Sequence, residues 1–580
     1  MPMPLPKRRK HALPDEGPTE PSASSSSARP QNFGQEAFKD VVTGFFLDGK
    51  LSGRDIALTA RAGQNSGASD VSQLAKAGAG GKHPQNACRD LMRQLLKTTS
   101  MPELYWQEIP VWDAETGQQE VASMPFLLPH QVLAAIGDRL NLLALDASKA
   151  PQIWTQFSQQ CHKLGLDPSS TIPIGFHGDG VPYTKKHSLE LLSWNILGDA
   201  VGDRCPFTGI SKSYTCKCGC LGRCTWDAVL AVFAWSMRAL CCGVHPAVDP
   251  NGQPLQGHAA ALAGQPMVKA VLCQIRGDWP FLKQLFSVPG HANHRICWQC
   301  CADKSAGPTS YKQVGLNAAW RQNRLASREF FRILQEQGLT PSPLFGAPGV
   351  ALEHVVLDWL HIVDLGIAQD LIGNLFHECV LGGLPGANKK ERLLVLWTKL
   401  RQFYEAHKTP VRLGELTLEM FEQSGKSPKL RSKGGECRHL VPFAASLAAE
   451  LAHLGEHWAR IHNCMRLLFD CAKHAACEPF QPQELARDCR KLCVLWKCLA
   501  DEAERKGDMA SWKQKPKVHL FQELCEYKAV MFGSPELFWT YMDESFCGYL
   551  AKAAKRRGGH VQYSTVPERL LTKYRAMRGQ

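Results

Sequence analysis

Residues 172–197 read IPIGFHGDGVPYTKKHSLELLSWNIL, and the interpretation of the whole chain starts from this stretch. A short apolar run ends at Asp179-Gly180 and is followed by Pro182. Apolar runs bounded by Gly and Pro are typical of buried strands, so the pattern predicts a strand that delivers the Asp179 carboxylate to the edge of a sheet. Because Asp-Gly alone is only a turn signal, a catalytic Asp179 requires partner carboxylates elsewhere.

Later segments supply such partners. Asp278 follows the apolar stretch 268–275, and Glu544 lies near the start of a helix-like run that leads into a basic cluster. Between them, Asp358 and His361 are three residues apart and would share one face of a helix. The three carboxylates lie far apart along the chain, so only a fold that reunites distant elements can bring them together.

Taken in order, these motifs resemble the transposases of CACTA (En/Spm)-type cut-and-paste DNA transposons. The resemblance covers roughly residues 170–575. The matching motifs are Asp179-Gly180, Gly277-Asp278-Trp279-Pro280 with Cys297 and Cys300, Asp358-x-x-His361, and Glu544.

The resemblance implies an α+β or α/β fold, with an RNase H-like mixed sheet flanked by helices and interrupted by a large helical insertion. It also implies a DNA nuclease and strand transferase that acts on double-stranded transposon ends. Asp179, Asp278 and Glu544 would hold Mg²⁺ or Mn²⁺, and His361 would position them. Clustered carboxylates repel one another unless hard divalent cations lie between them, which fits this expectation.

The final motif departs from the family pattern. Asp543-Glu544-Ser545 stands where the family usually has Phe-Glu-Arg, so Asp543 and Glu536 remain alternatives for the third carboxylate. Two other functions also remain open at this point. The chain can be a catalytically inactive DNA-binding descendant of such an enzyme, or a zinc-stabilised protein-interaction scaffold.

The composition agrees with an intracellular partner of nucleic acid. A formal charge of +13 over 580 residues favours an acidic partner. No apolar signal segment follows the first residues, so the 23 cysteines predict reduced thiols rather than disulfides. The most apolar run, Ala228–Cys242, carries Arg238 and is too short to span a bilayer, so we expect no membrane segment. Whether the chain forms a homo-oligomer is left open.

Two cysteine clusters are candidate zinc sites. The first consists of Cys216, Cys218, Cys220 and Cys224, which are spaced more tightly than most zinc ligands. The second consists of Cys297 and Cys300, with His291 and His294 just before them. One site shared between the two clusters, or free thiols without metal, are the alternatives.

The chain divides into five predicted segments. Residues 1–35 form a disordered tail whose basic run 6–10 predicts nuclear import. The other segments are an accessory domain (36–150) with a hairpin at Tyr105–Val121 and a Gly/Ala-rich linker at Leu51–Gln85, the first part of the core (151–315), the helical insertion (316–510) and the end of the core (511–580).

Two basic clusters are predicted to contact the DNA backbone without reading its sequence. One is the flexible loop 424–435, which contains Lys429 and Arg431. The other follows Glu544 along the same predicted helix and consists of Lys555, Arg556 and Arg557.

Overall fold

The computed structural model describes residues 38–137, 148, 150–184, 187–198, 204–554 and 563–578. The predicted disordered tail with its nuclear-import run, and the basic residues Lys555, Arg556 and Arg557, lie outside this part of the chain. The chain forms two compact units. The smaller unit contains the described residues up to 100 together with 552–554 and 572–578, and the larger unit contains the rest.

The smaller unit is helical. Its helices are α1 (Phe38–Leu47), α2 (Gly53–Asn65), α3 (Ser72–Ala75) and α4 (Ala87–Leu96). They enclose a core that includes Phe46, Ile56, Leu74 and Leu91.

The prediction of a linker at Leu51–Gln85 is therefore wrong. The Ser52 hydroxyl accepts a hydrogen bond from the Asp55 backbone N–H, and the Asp55 carboxylate accepts one from the Ser52 backbone, which starts α2 with a capping box. The small residues of this segment pack as helices: Ala57 and Ala60 are buried.

The larger unit begins with the predicted hairpin. Strands β1 (Tyr105–Asp113) and β2 (Gln118–Phe126) pair antiparallel. The Asp113 side chain accepts hydrogen bonds from the backbone N–H groups of Glu115 and Thr116, which forms the turn. The hairpin belongs to the same compact unit as the sheet that carries the site, so the structural division differs from the predicted accessory domain of residues 36–150.

Helices α5 (Pro129–Ala135) and α6 (Pro151–Lys163) lead into a four-stranded mixed sheet. Its strands are β3 (Thr171–Pro182), β4 (Ser188–Ile196), β5 (Arg204–Ser211) and β6 (Lys269–Gly277). The order across the sheet is β5-β4-β3-β6. The neighbouring pairs β3/β4 and β4/β5 are antiparallel, whereas β3 and β6 run parallel with Gly178 opposite Gly277.

Helix α7 (Arg223–Cys242) packs against the sheet, since the Phe233 ring lies 4.7 Å from the Phe176 ring of β3 and 5.0 Å from the Phe207 ring of β5. This helix has 20 residues, so it is longer than predicted, and its length and composition would allow it to cross a membrane. However, 67% of its most apolar window is buried, as in the core helix of a globular protein.

The predicted region 316–510 is helical. The helices of the larger unit after α7 are α8 (Gly257–Leu262), α9 (Trp279–Phe286), α10 (Ala319–Gln322), α11 (Ser327–Glu336), α12 (Ala368–Glu378), α13 (Lys389–Ala406), α14 (Gly434–Leu451), α15 (Glu456–His474), α16 (Pro482–Arg505), α17 (Lys517–Glu523) and α18 (Ala529–Phe532). Helices α19 (Tyr541–Ala554) and α20 (Val566–Arg578) follow. Helix α12 is preceded by a π-helical segment, Leu360–Ile367, and α17 is followed by another, Leu524–Lys528. The larger unit is therefore mixed α and β, with a mixed sheet flanked by helices, as the sequence predicts.

Candidate metal centre

The site lies where the parallel pairing of β3 and β6 ends. Asp179 follows Gly178 in β3, and Asp278 follows Gly277 at the end of β6. Because Gly178 pairs with Gly277, the two aspartates leave neighbouring strands at the same edge of the sheet. Asp278 also caps α9: its Oδ1 accepts a hydrogen bond of 2.6 Å from the Phe281 backbone N–H.

The glycines before the two aspartates leave room for α9. A Cβ on Gly178 would lie 1.8 Å from the Phe281 ring, and a Cβ on Gly277 would lie 2.4 Å from it. Any other residue would therefore push α9 away from the strand ends. The Gly-Asp pairs allow the helix to pack closely against the edge that carries the carboxylates.

Glu544 reaches the same place from the first turn of α19. Its Oε1 lies 3.3 Å from His361 Nε2. Burial and the negative charges of Asp179, Asp358 and Asp278 raise the pKa of Glu544 to about 7, against the attraction of His361. The pKa of Asp179 is raised to about 6, first by burial and then by Asp278. The carboxylates that the sequence singles out are thus close enough to repel one another.

His361 connects this cluster to a buried carboxylate. Its Nδ1 lies 2.5 Å from Asp358 Oδ2, and its backbone N–H donates to the same oxygen. Burial alone would lower the pKa of His361, but the hydrogen bond and charge of Asp358 and the charge of Glu544 outweigh it and raise the pKa to about 9. At neutral pH His361 is therefore a cation held between Asp358 and Glu544.

Asp358 also fixes the start of the helix that carries Glu544. Its Oδ1 accepts a hydrogen bond of 3.0 Å from the Thr540 backbone N–H, directly before α19. The predicted Asp358-x-x-His361 pair is thus in contact. His361 lies in a π-helical segment rather than a regular helix.

The alternatives for the third carboxylate point elsewhere. Asp543 is buried and bonded to two arginines, Arg204 at 2.8 Å and Arg276 at 3.3 Å. Burial would raise the pKa of Asp543, but Arg276, His177 and Arg204 lower it to about 2. Glu536 pairs with Arg438 at 3.5 Å. Only Glu544 of these three carboxylates contacts His361.

Cys297 and Cys300 form a compact group with two residues that the sequence analysis missed. The ligand atoms of Cys297, Cys300, His519 and Glu523 lie within 4.8 Å of one another, and all four residues are buried. Cys300 Sγ is 3.3 Å from His519 Nε2. His519 and Glu523 are four residues apart on α17, so they project from one face of the helix. That spacing is the only signal in the sequence for the pair.

The histidines proposed as ligands from the sequence are not part of this group. His291 lies against the Trp279 ring, with centroids 6.0 Å apart, and the His294 side chain is 75% exposed, with Asp303 at 3.9 Å. The proposal of a site shared between both cysteine clusters is also wrong, since the ligand atoms form two separate groups. In the first group the ligand atoms of the predicted cysteines, Cys216, Cys218, Cys220 and Cys224, lie within 4.8 Å of one another.

The predicted basic loop is anchored rather than flexible. The Leu430 backbone N–H donates to the Gln369 carbonyl at 2.9 Å, and Leu430 is buried. Lys429 and Arg431 extend from this segment into a groove of about 470 Å³. The groove is also lined by three further basic residues, Lys426, Lys513 and Lys515. Two segments distant in sequence therefore form one basic surface.

No protein-family model matches this chain, and a search of curated proteins finds no match.

Proposed function

We propose that this protein is a transposase-like DNA nuclease and strand transferase that uses divalent metal ions held by Asp179, Asp278 and Glu544. The observation that carries the proposal is the meeting of these three residues. Asp179 and Asp278 directly follow the last paired residues of the parallel strands β3 and β6. Glu544 lies on a helix near the end of the chain, and burial and the charges of both aspartates raise its pKa.

The donor set suits a hard divalent cation. Buried carboxylates that raise one another's pKa are most stable when a cation neutralises them, and Mg²⁺ and Mn²⁺ prefer oxygen ligands. When bound, such ions would activate a water or a DNA 3′-hydroxyl and stabilise the leaving oxygen. The residues of the chain would then bind the ion and hold the DNA.

His361 has a positioning role in this proposal. Its charge and its contact at 3.3 Å hold Glu544 as a carboxylate directed to the site. Asp358 keeps the imidazole charged and fixes its orientation. This arrangement resembles the carboxylate-histidine pairs that orient metal ligands in other proteins.

An RNase H-like core is part of the same proposal. The strand order β5-β4-β3-β6, with β6 parallel to β3 and the helices of residues 316–510 between β6 and α19, supports it. The groove lined by Lys429 and Arg431 supports a double-stranded DNA partner, because clustered lysines and arginines bind phosphates. We propose that DNA, in the nucleus, is the substrate.

Zinc has a structural role in the proposal. Four cysteines in one group, and two cysteines, a histidine and a glutamate in the other, supply the thiolate, imidazole and carboxylate ligands that zinc takes. The second group joins the segment after α9 to α17. Zinc bound there would hold α17 against the segment that follows α9.

The test is nicking of supercoiled DNA by the purified full chain with Mg²⁺ or Mn²⁺. The proposal predicts that Asp179→Asn, Asp278→Asn and Glu544→Gln each abolish nicking, whereas Glu536→Gln retains it as a matched carboxylate control. DNA binding without any metal-dependent nicking would favour an inactive DNA-binding protein. If the wild type neither binds nor nicks DNA, the result would favour a protein-interaction scaffold.

A further inference from the structure

A cavity of about 540 Å³ opens beside the carboxylates. Asp278, Asp358 and His361 line one side of it. Its volume lies in the range of about 300–1,000 Å³ that is common for small-molecule sites. The cavity is therefore large enough for a ligand that reaches the carboxylates. The contacts that position the carboxylates do not depend on this cavity.

One wall of the cavity is aromatic. Trp279 and Trp298 both line it, and their ring centroids are 6.5 Å apart. Trp298 is 1% exposed, and its indole N–H has no hydrogen-bond partner among the described residues. A buried donor without a partner is unfavourable, so an acceptor on a ligand would relieve a defect that the protein alone leaves.

Another wall carries three lysines, Lys429, Lys515 and Lys517. Lys515 pairs with Asp370 at 2.6 Å. Lys517 Nζ donates to the His361 carbonyl at 2.5 Å, and Lys429 Nζ donates to the Leu365 carbonyl at 3.2 Å.

Among the described residues, no carboxylate lies within 4.0 Å of the Lys429 or Lys517 amine. Burial lowers the pKa of both lysines. The charge of Lys429 lowers the pKa of Lys517 further, and the charge of Lys515 does the same for Lys429, while Asp370 opposes both shifts. The direct hydrogen-bond partners of these two partly buried amines are neutral backbone carbonyls, although carboxylates line the same cavity. A phosphate group would complement them.

We infer that this cavity binds one unstacked nucleotide of the DNA strand, with its base against Trp279 and Trp298 and its phosphate on Lys429 and Lys517. The inference rests on the proposed function, since it takes DNA as the ligand, and it adds how the strand enters the site. An aromatic wall favours a base over a free phosphate, and lysines favour a nucleotide over an apolar ligand. A nucleotide held there places the adjoining phosphodiester near Asp278.

The experiment measures fluorescence anisotropy of a labelled single-stranded thymidine pentanucleotide on the full chain, in buffer without Mg²⁺ or Mn²⁺ so that no cleavage occurs. Thymidine 5′-monophosphate and inorganic phosphate are the competitors. We expect the nucleotide to compete at a concentration at least about fivefold lower than phosphate, because base stacking on aromatic side chains adds to the phosphate contact.

Variants assign the binding to the cavity. Trp279→Ala and Trp298→Phe should each weaken competition by the nucleotide about fivefold or more and leave competition by phosphate unchanged. Trp298→Phe keeps an aromatic ring but removes the N–H and part of the ring surface. Lys429→Ala should weaken both competitors. Trp397→Ala is the control, since Trp397 is half-buried like Trp279 and does not line the cavity.

Equal competition by nucleotide and phosphate would overturn the inference, and so would tryptophan variants that behave like the wild type or a pentanucleotide that does not bind. These outcomes are separate from those of the nicking test. If the nucleotide binds in the cavity but DNA is not nicked, the proposed nuclease activity is refuted and the nucleotide site stands. If DNA is nicked but nucleotide and phosphate compete equally, the nucleotide site is refuted and the nuclease activity stands.

Discussion

Asp543 and Glu544 are neighbours in sequence, yet their surroundings give them opposite properties. Asp543 is neutralised by Arg276 and Arg204, so its pKa falls despite burial. Glu544 shares its surroundings with other carboxylates, so its pKa rises. The sequence predicts a carboxylate at this point of the chain. The sequence alone does not show which of the two is the candidate metal ligand. The arginines that neutralise Asp543 lie on β5 and β6, far away in sequence.

Removing the imidazole tests the positioning role of His361. We expect His361→Ala to weaken Mn²⁺ binding and nicking about 10–100-fold, as is usual for residues that orient metal ligands. His361→Gln should recover part of the loss if a hydrogen bond to Glu544 suffices. Titration of Mn²⁺ followed by electron paramagnetic resonance measures the affinity without DNA. The exposed His294→Ala is the control, and an unchanged affinity in His361→Ala would refute the role.

Metal binding should depend on pH through Asp179 and Glu544. Their pKa values are raised to about 6 and about 7, so protons compete with the cation below these values. Mn²⁺ affinity should therefore rise as the pH rises through this range, and it should level off above pH about 8. In Glu544→Gln the upper part of the rise should disappear. An affinity that stays constant from pH about 5.5 to 8 would contradict this assignment.

At the scale of elements, the apolar run that ends at Asp179-Gly180 predicts β3, and the structure confirms this strand. The apolar stretch 268–275 before Asp278 forms most of β6. The helical character of residues 316–510 is also confirmed. The segment Leu51–Gln85 was predicted wrongly because Gly and Ala indicate a linker by composition alone. There the helix signal is the capping box of Ser52 and Asp55, and the small residues are needed for close packing.

The close approach of α9 to the strand ends can be tested at Gly178. In Gly178→Ala the new methyl group would overlap the Phe281 ring, so we expect a loss of stability of about 1–3 kcal/mol, as for other overpacked cores. Urea unfolding measures this loss. Gly548→Ala in α19 is the control, since a Cβ there meets nothing within 4 Å. Equal midpoints for both variants would show that α9 moves away without cost.

The second cysteine group makes a sharp prediction about its ligands. His519→Ala should bind one zinc fewer per chain than the wild type and should unfold at a lower temperature, because His519 lies in the group. His291→Ala should keep the full zinc content. Metal analysis of the purified variants together with thermal unfolding gives both readouts. Loss of zinc in His291→Ala, and not in His519→Ala, would restore the ligands suggested by the sequence.

At the scale of the whole molecule, the site is assembled from segments that local sequence patterns cannot place relative to one another. The resemblance orders Asp179, Asp278, His361 and Glu544 along the chain, and the structure brings all four together. The basic groove shows the limit of the sequence. Its two halves, residues 423–431 and 513–515, come from segments that are far apart in sequence, and only the first was predicted.

The groove predicts how DNA binding depends on salt. Each lysine that contacts a phosphate adds about one unit to the slope of log K against log salt concentration. We expect the double variant Lys426→Ala and Lys513→Ala to lower the slope by about 2. Filter binding between low and moderate salt measures it. The double variant Lys497→Ala and Lys506→Ala removes the same charge from α16 and should leave the slope unchanged.

The central claim is that Asp179, Asp278 and Glu544 together bind divalent metal ions. The most direct test is anomalous diffraction from crystals of the zinc-loaded protein soaked in Mn²⁺. We expect an anomalous Mn²⁺ peak within about 2–2.5 Å of carboxylate oxygens from all three residues. A map with zinc at the cysteine groups and no Mn²⁺ between these three carboxylates at saturating concentration would contradict it.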